Sequence, residues 1–195
     1  MRLTSTTRVS LDGVMQGPGG PQEDLRGGFE RGGWGMAHPD GEGREFIADL
    51  YASADGFLFG RWTYELFAGY WGAMQAGSHA IADSLNTRPK YVVSATLSDP
   101  RWAPSTVLSG DLAAAIGELK ARPGGELQVH GSGRLVRWLL ENGLIDEMNL
   151  LIVPVVVGQG VRLFPESGPC TALELLHSRS FPQGTTLAVL RPAGC

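Results

Sequence analysis

Residues Phe57–Glu65 read FLFGRWTYE. The apolar run before Gly60 has the composition of a buried strand, Gly60 ends it, and Thr63–Trp71 continues as a helix. The corner between them sets a cation, Arg61, and a hydroxyl, Thr63, at the start of that helix. A helix start carries unpaired peptide N–H groups and the positive end of the helix dipole. Gly60 lets a ligand approach the backbone, Arg61 can fork onto a phosphate, and Thr63 can donate a hydroxyl. A plain N-cap needs only the threonine, so this stretch alone leaves two readings open, an anion site and a capped helix with a solvated arginine.

A second corner of the same kind follows in Leu127–Leu140, LQVHGSGRLVRWLL. A strand runs into Gly131-Ser132-Gly133 and a helix begins at Arg134 or Leu135. The corner offers bare amides, a serine hydroxyl and a second dipole. It is not a GxGxxG fingerprint, because Val136 stands where the third glycine belongs, and no GxxxxGK occurs. One such corner is ambiguous. Two in a small chain suit one ligand with several phosphates, bound across the C-terminal ends of neighbouring strands.

Outward from these corners, a first strand is expected over Leu3–Met15. Gln16–Arg44 is rich in glycine and proline, and a connection of this length is a functional lid or a flexible excursion. Phe29 and Trp34 favour the lid. Helices are expected at Arg44–Asp55, Asp111–Ala121 with Asp111 as cap, and Arg134–Gly143 with Gly143 just past its end. Strands are expected at Gly56–Gly60, Tyr91–Ser94, Ser105–Gly110, Gly125–His130 and Asp146–Gly158. Pro154 inside the last implies a bulge or an edge. Leu173–Phe181 and Thr185–Arg191 flank Pro182–Gly184 as a closing hairpin. The alternation predicts an α/β fold: a mostly parallel twisted sheet with helices on both faces and a C-terminal antiparallel hairpin, in a single domain over residues 1–195.

The composition narrows the partners. A chain of 195 residues with net charge −4 gives no electrostatic reason to bind nucleic acid or an anionic membrane. Lysine is limited to Lys90 and Lys120. Cys170 and Cys195 form no CxxC, and His38, His79 and His177 have no metal spacing, so no metal site and a reduced, cytoplasmic setting are expected. Met1–Met15 alternates polar and apolar residues and does not read as a signal peptide.

FGRWTYE resembles the corner of the dihydrofolate reductase fold, and HGSGRLVRWLL resembles that fold's later glycine-rich corner. VSLDGVM (Val9–Met15), KYVVSATL (Lys90–Leu97) and Gly143–Phe164 are similar to a narrower group, the dihydrofolate-reductase-like family related to the reductase domain of the bacterial riboflavin-pathway deaminase–reductase. The likeness runs from about Leu3 to Arg191. It implies NADPH. Gly60, Arg61 and Thr63 match the phosphate corner, and Gly131, Ser132, Gly133, Arg134 and Leu135 match the pyrophosphate loop. Ser94 and Thr96 match the segment near the adenosine phosphate, while Val14 and Met15 align near the nicotinamide. Arg61 and Ser94 would favour NADPH over NADH. Riboflavin-pathway reductases usually carry glutamate where His130 stands, and the zinc deaminase motif is absent.

The expected function is therefore an NADPH-dependent reductase of a small polar substrate, heterocycles included, similar to 5-amino-6-(5-phosphoribosylamino)uracil reductase. Dihydrofolate reduction and a non-catalytic NADPH-binding module are the alternatives. A proton must follow the hydride, with Asp12, Asp49 or water as its source. Asp12 also reads as the turn-former of an Asp-Gly, Asp49 as a solvated helix residue, and His130 as a partly buried hydrogen-bonded histidine. Trp62 and Tyr64 are expected to pack. The resemblance further implies a homodimer, with Met148–Val157 as its candidate contact.

Overall fold

The structure is a computed structural model that describes residues 1–36 and 41–193; His38 and Cys195 lie outside the described residues. The strands are β1 (Arg2–Ser10), β2 (Ala54–Gly60), β3 (Lys90–Val93), β4 (Ser105–Leu108), β5 (Glu126–Val129), β6 (Glu147–Val153), β7 (Ala172–Ser180) and β8 (Thr186–Ala193). The helices are α1 (Gly41–Ser53), α2 (Arg61–Tyr70), α3 (Ala80–Thr87), α4 (Leu112–Ala121) and α5 (Gly133–Glu141). The strand order is β4-β3-β2-β5-β1-β6-β8-β7. β1 with β5, β5 with β2, β2 with β3 and β3 with β4 are parallel, whereas β8 is antiparallel to both β6 and β7. The expected α/β class, mostly parallel sheet and closing hairpin are therefore present.

The chain folds as two compact units, Met1–Ser5 with Glu45–Asp146, and Thr6–Arg44 with Glu147–Cys195. The first is organised by β2, whose alternation turns Phe57 and Phe59 to one side. They join Tyr51, Tyr64, Leu85, Val92 and Trp102 in an aromatic core. Tyr64 closes this core with its hydroxyl, which accepts from Trp102 N at 2.9 Å. α4 starts as expected, the Asp111 carboxylate accepting from Ala114 N at 3.0 Å. Gly143 follows α5 at φ +63°, a conformation glycine adopts without strain.

Lys90, at the start of β3, is fully buried in the first unit. Its Nζ donates to the carbonyls of Leu85 at 2.6 Å and Arg88 at 3.0 Å, and lies 4.7 Å from the Trp102 ring centroid. Carbonyls and a π-face replace part of its hydration. Burial still lowers its pKa to about 8.

The second unit explains two departures from the sequence reading. The first strand stops at Ser10, not Met15, because Asp12-Gly13 turns the chain: Gly13 has φ +81° and its N–H donates to Ser10 O at 2.9 Å. β6 ends at Val153, directly before Pro154, so the proline terminates the strand and makes no bulge within it.

The glycine-rich connection is folded over residues 16–36; positions 37–40 lie outside the described residues. Phe29 and Trp34 are buried with Val14, Val153 and Val157. The Trp34 indole donates to Gln16 O at 2.8 Å, and Gln16 Nε2 donates to the carbonyls of Asp24 at 3.2 Å and Arg26 at 2.9 Å. The two aromatics anchor the loop to its own unit's core.

Candidate functional site

In the first unit the two glycine corners meet. β2 and β5 are parallel neighbours with Leu58 opposite Val129, which brings the residues after each strand to the same level. Gly60 N donates to Gly131 O at 3.0 Å. A Cβ at Gly60 would stand 2.5 Å from Ser132 Oγ and 3.1 Å from Ser132 N, and one at Gly131 would stand 3.0 Å from Thr63 Oγ1. Space disfavours a side chain at Gly60, and at Gly131 a φ of +135° adds backbone strain. The Gly131–Ser132 peptide is cis.

Neither helix start is capped by a side chain. Gly60 is the N-cap of α2 and has none to offer; Ser132 is the N-cap of α5, and its hydroxyl makes no cap hydrogen bond. Two helix starts thus point unpaired N–H groups and positive dipole ends at one small region, with Ser132 Oγ and Thr63 Oγ1 beside them. Arg134 is exposed on the first turn of α5, and Leu135 is buried beneath it.

The register of β2 with β3, Gly60 opposite Val93, brings the segment after β3 alongside. Arg61 Nη1 donates to Thr96 Oγ1 at 2.6 Å, and Arg61 Nε to Glu65 Oε1 at 2.7 Å. Ser94 Oγ accepts from the N–H groups of Thr96 at 3.2 Å and Leu97 at 3.0 Å, which shapes the turn that presents Thr96. Arg61 is exposed and keeps donors to spare. Trp62 is partly exposed beside it, whereas Tyr64 is buried. Of the pair expected to pack, only Tyr64 lies in the core.

Along β5 and just past its end lies a polar row of which the sequence reading named only His130, as a partly buried hydrogen-bonded histidine, which it is. Gln128 is fully buried and its Nε2 donates to Leu50 O at 2.6 Å and to Glu126 Oε2 at 3.1 Å. His130 Nε2 lies 3.1 Å from Gln128 Oε1, and its ring stacks on Tyr51 with centroids 4.2 Å apart. Burial pushes the imidazole pKa down to about 3. The signal was available: in ELQVH, polar residues alternate with apolar ones at strand spacing, so all three share one face.

Asp12, Val14 and Met15 belong to the second unit, and Asp49 to the first. In the second unit, Asp12 accepts from Ser10 Oγ at 2.7 Å, Val157 N at 2.9 Å and Gly158 N at 2.8 Å, with Arg162 Nη2 at 3.6 Å. Burial raises its pKa, but the hydrogen bonds outweigh burial and bring it down to about 2. Val14 is fully buried and bridges Arg162; Met15 N donates to Val161 O at 2.9 Å. Asp49 is exposed on α1. Among the described residues no cluster of His, Cys, Asp and Glu could hold a metal ion, and no helix is long and apolar enough to cross a membrane.

The family model of the RibD C-terminal domain matches residues 2–187. The chain belongs to this family. The resemblance carried by the two corners and by Gly143–Phe164 is thereby borne out. Among relatives, the chain is 24% identical over 190 residues to the uncharacterized protein YyaP of Bacillus subtilis (strain 168), covering 96% of this chain and 93% of that one. It is 26% identical over 152 residues to YwjB of the same organism, covering 78% and 82%. Among solved structures, a Shewanella sp. PV-4 protein named for riboflavin biosynthesis superposes with TM-score 0.75 at 24% identity, over 99% of both chains. A pyrimidine reductase-like protein of Corynebacterium diphtheriae superposes with TM-score 0.66 at 14% identity, over 100% of this chain and 92% of that one. These likenesses extend the family's fold over the whole chain.

Proposed function

We propose that this RibD C-terminal domain protein is an NADPH-dependent reductase of a small polar heterocycle. The observation that carries the proposal is the junction of two uncapped helix starts at the Gly60–Gly131 contact. The cofactor fits that junction on chemical grounds. A side chain at Gly60 would push against Ser132 and spread the two corners, whereas the free amides, Ser132 Oγ and Thr63 Oγ1 brought together there suit a pyrophosphate. Arg61, presented with Thr96 on the turn that Ser94 shapes, suits a further phosphate and so the phosphorylated dinucleotide.

When bound, the nicotinamide supplies a hydride to a C=N, C=O or C=C bond. The first turns of α2 and α5 hold and orient the diphosphate, and Arg61 places the charge of the adenosine end. Asp12 is ionised at neutral pH and fully engaged, so its role is to tie the 157–158 backbone to the turn at residues 10–13. The proton that follows the hydride then comes from water or from Asp49. A nucleotide-binding module without turnover is a second reading, favoured by the commitment of Asp12 to structure.

The likeness to the pyrimidine reductase-like protein of Corynebacterium diphtheriae makes pyrimidines the first substrates to try. The test is calorimetry with NADPH and NADH, followed by NADPH oxidation with a pyrimidine panel and with dihydrofolate. Tight NADPH binding, weakened at least about ten-fold in Arg61→Ala, is expected; ten-fold is the worth of one charge-assisted hydrogen bond. Equal or absent binding of both nucleotides refutes the cofactor assignment. Binding without oxidation of NADPH by any substrate favours the second reading. We further infer a homodimer.

A further inference from the structure

The protonation of His130 is determined by its neighbours. A backbone carbonyl only accepts, so the Gln128 amide nitrogen must face Leu50 O, and the amide oxygen must face His130 Nε2. That oxygen cannot donate, so Nε2 carries the proton. Burial keeps the ring neutral at physiological pH, since its pKa falls to about 3. Nδ1 therefore holds a lone pair and no hydrogen.

The ring is also fixed in place. It lies within 12° of parallel to Tyr51, and the Phe57 ring stands 6.1 Å away. No group among the described residues donates to Nδ1. His130 is only half-buried, and it directly precedes Gly131, whose carbonyl joins the two corners. A rigid nitrogen that can only accept thus stands at the C-terminal end of β5, next to the junction.

We propose that His130 is a specificity-determining residue whose Nδ1 accepts a hydrogen bond from a ring or amino N–H of a heterocyclic substrate. The inference rests on the reading of this end of the sheet as a ligand site. It adds a sign to the substrate's chemistry. A donor is attracted, while a carbonyl oxygen in the same place meets lone pair with lone pair, so the residue selects by rejection as well as by attraction.

The test uses the full chain with NADP⁺ and with 5,6-diaminouracil as the probe. With ¹⁵N-labelled histidine, Nε2 is expected to keep its protonated resonance throughout. Nδ1 should begin at the unprotonated position and move upfield as the probe binds. His130→Phe keeps a ring on Tyr51 and loses the acceptor. It should bind the probe about ten-fold more weakly or worse, and NADP⁺ as the wild type does. A bound probe with an unmoved Nδ1 resonance overturns the proposal. So does wild-type probe affinity in the variant, or a wild-type protein that does not take the probe. The Nδ1 resonance is read on the wild type, so a variant that fails to fold does not remove the test. Failure of the wild type to bind NADP⁺ refutes the cofactor assignment separately, because the probe titration is also run without the nucleotide.

Discussion

Gly60→Ala puts the junction of the two corners under direct strain. Gly60 has φ −72° and ψ 151°, a region open to any L-residue, so the substitution carries no backbone penalty. Its effect is steric. The new Cβ would lie 2.5 Å from Ser132 Oγ, 3.1 Å from Ser132 N and 3.3 Å from Ser132 Cβ. The hydroxyl can rotate away, but the peptide nitrogen moves only if the 131–133 backbone moves. Overpacking of this kind costs about 1–3 kcal/mol. At about 2–4 °C per kcal/mol for a chain of this size, the midpoint of thermal unfolding should fall by roughly 2–12 °C. The same shift spreads the amides that would hold a diphosphate, so NADP⁺ should bind at least about ten-fold more weakly by calorimetry. Gly117→Ala is the control. It lies within α4 with nothing within 4 Å of its Cβ, and should stabilise by about 0.5–1 kcal/mol without altering NADP⁺ binding. A Gly60→Ala protein that is destabilised yet binds NADP⁺ normally refutes the junction as the nucleotide site. One that is unchanged in both refutes the close approach itself.

Other outcomes follow from the charges and from the sheet edge. Lys90 has a folded pKa near 8 against an ordinary 10.5, so between those values the unfolded chain binds more protons. Stability should therefore rise with pH from about 8 to 10.5. Urea unfolding of wild type and Lys90→Met should show this slope only in the wild type; parallel slopes contradict the buried position of the ammonium. Asp12 shows the opposite sign. Its folded pKa of about 2 lies below the ordinary 3.8, so its contribution is complete above 3.8 and lost as pH falls toward 2. Asp12→Asn should be less stable than wild type at pH 7 and should approach it by pH 2–3; a gap constant across that range sinks the clamp. The homodimer contact is expected away from β6, where Met148, Leu151 and Val153 are buried within the subunit. Among the described residues β7 pairs only with β8, and its Leu175 and Leu176 are 56% and 42% exposed, which suits a partner better. Leu175→Lys should convert a dimeric mass by light scattering to a monomeric one, and a monomeric wild type refutes the assembly.

What could be read from the sequence divides by the range of the causes. β2, β5, α4 and α5 follow from local periodicity and glycine punctuation, because those signals lie within each element. α3 went unread: it has eight residues, only Ala82 and Leu85 are buried, and its start is capped by His79, outside the usual capping residues. Phe29 and Trp34 suggested a surface that closes on a ligand, but a sequence does not show that Val14, Val153 and Val157 wait for those rings. Asp12 is the sharpest case. As a residue type it suits proton transfer, and its carboxylate is instead engaged by two amides about 145 residues further along the chain. The same dependence on distant neighbours gives His130 its chemistry. Alone, the residue could be charged, a donor or an acceptor. Leu50 O orients Gln128, Gln128 assigns the tautomer, and Tyr51 fixes the ring, leaving one acceptor beside Gly131. The two corners concern how a nucleotide would be held. What the molecule would reduce has to be sought in groups such as this, whose state is set by contacts between segments.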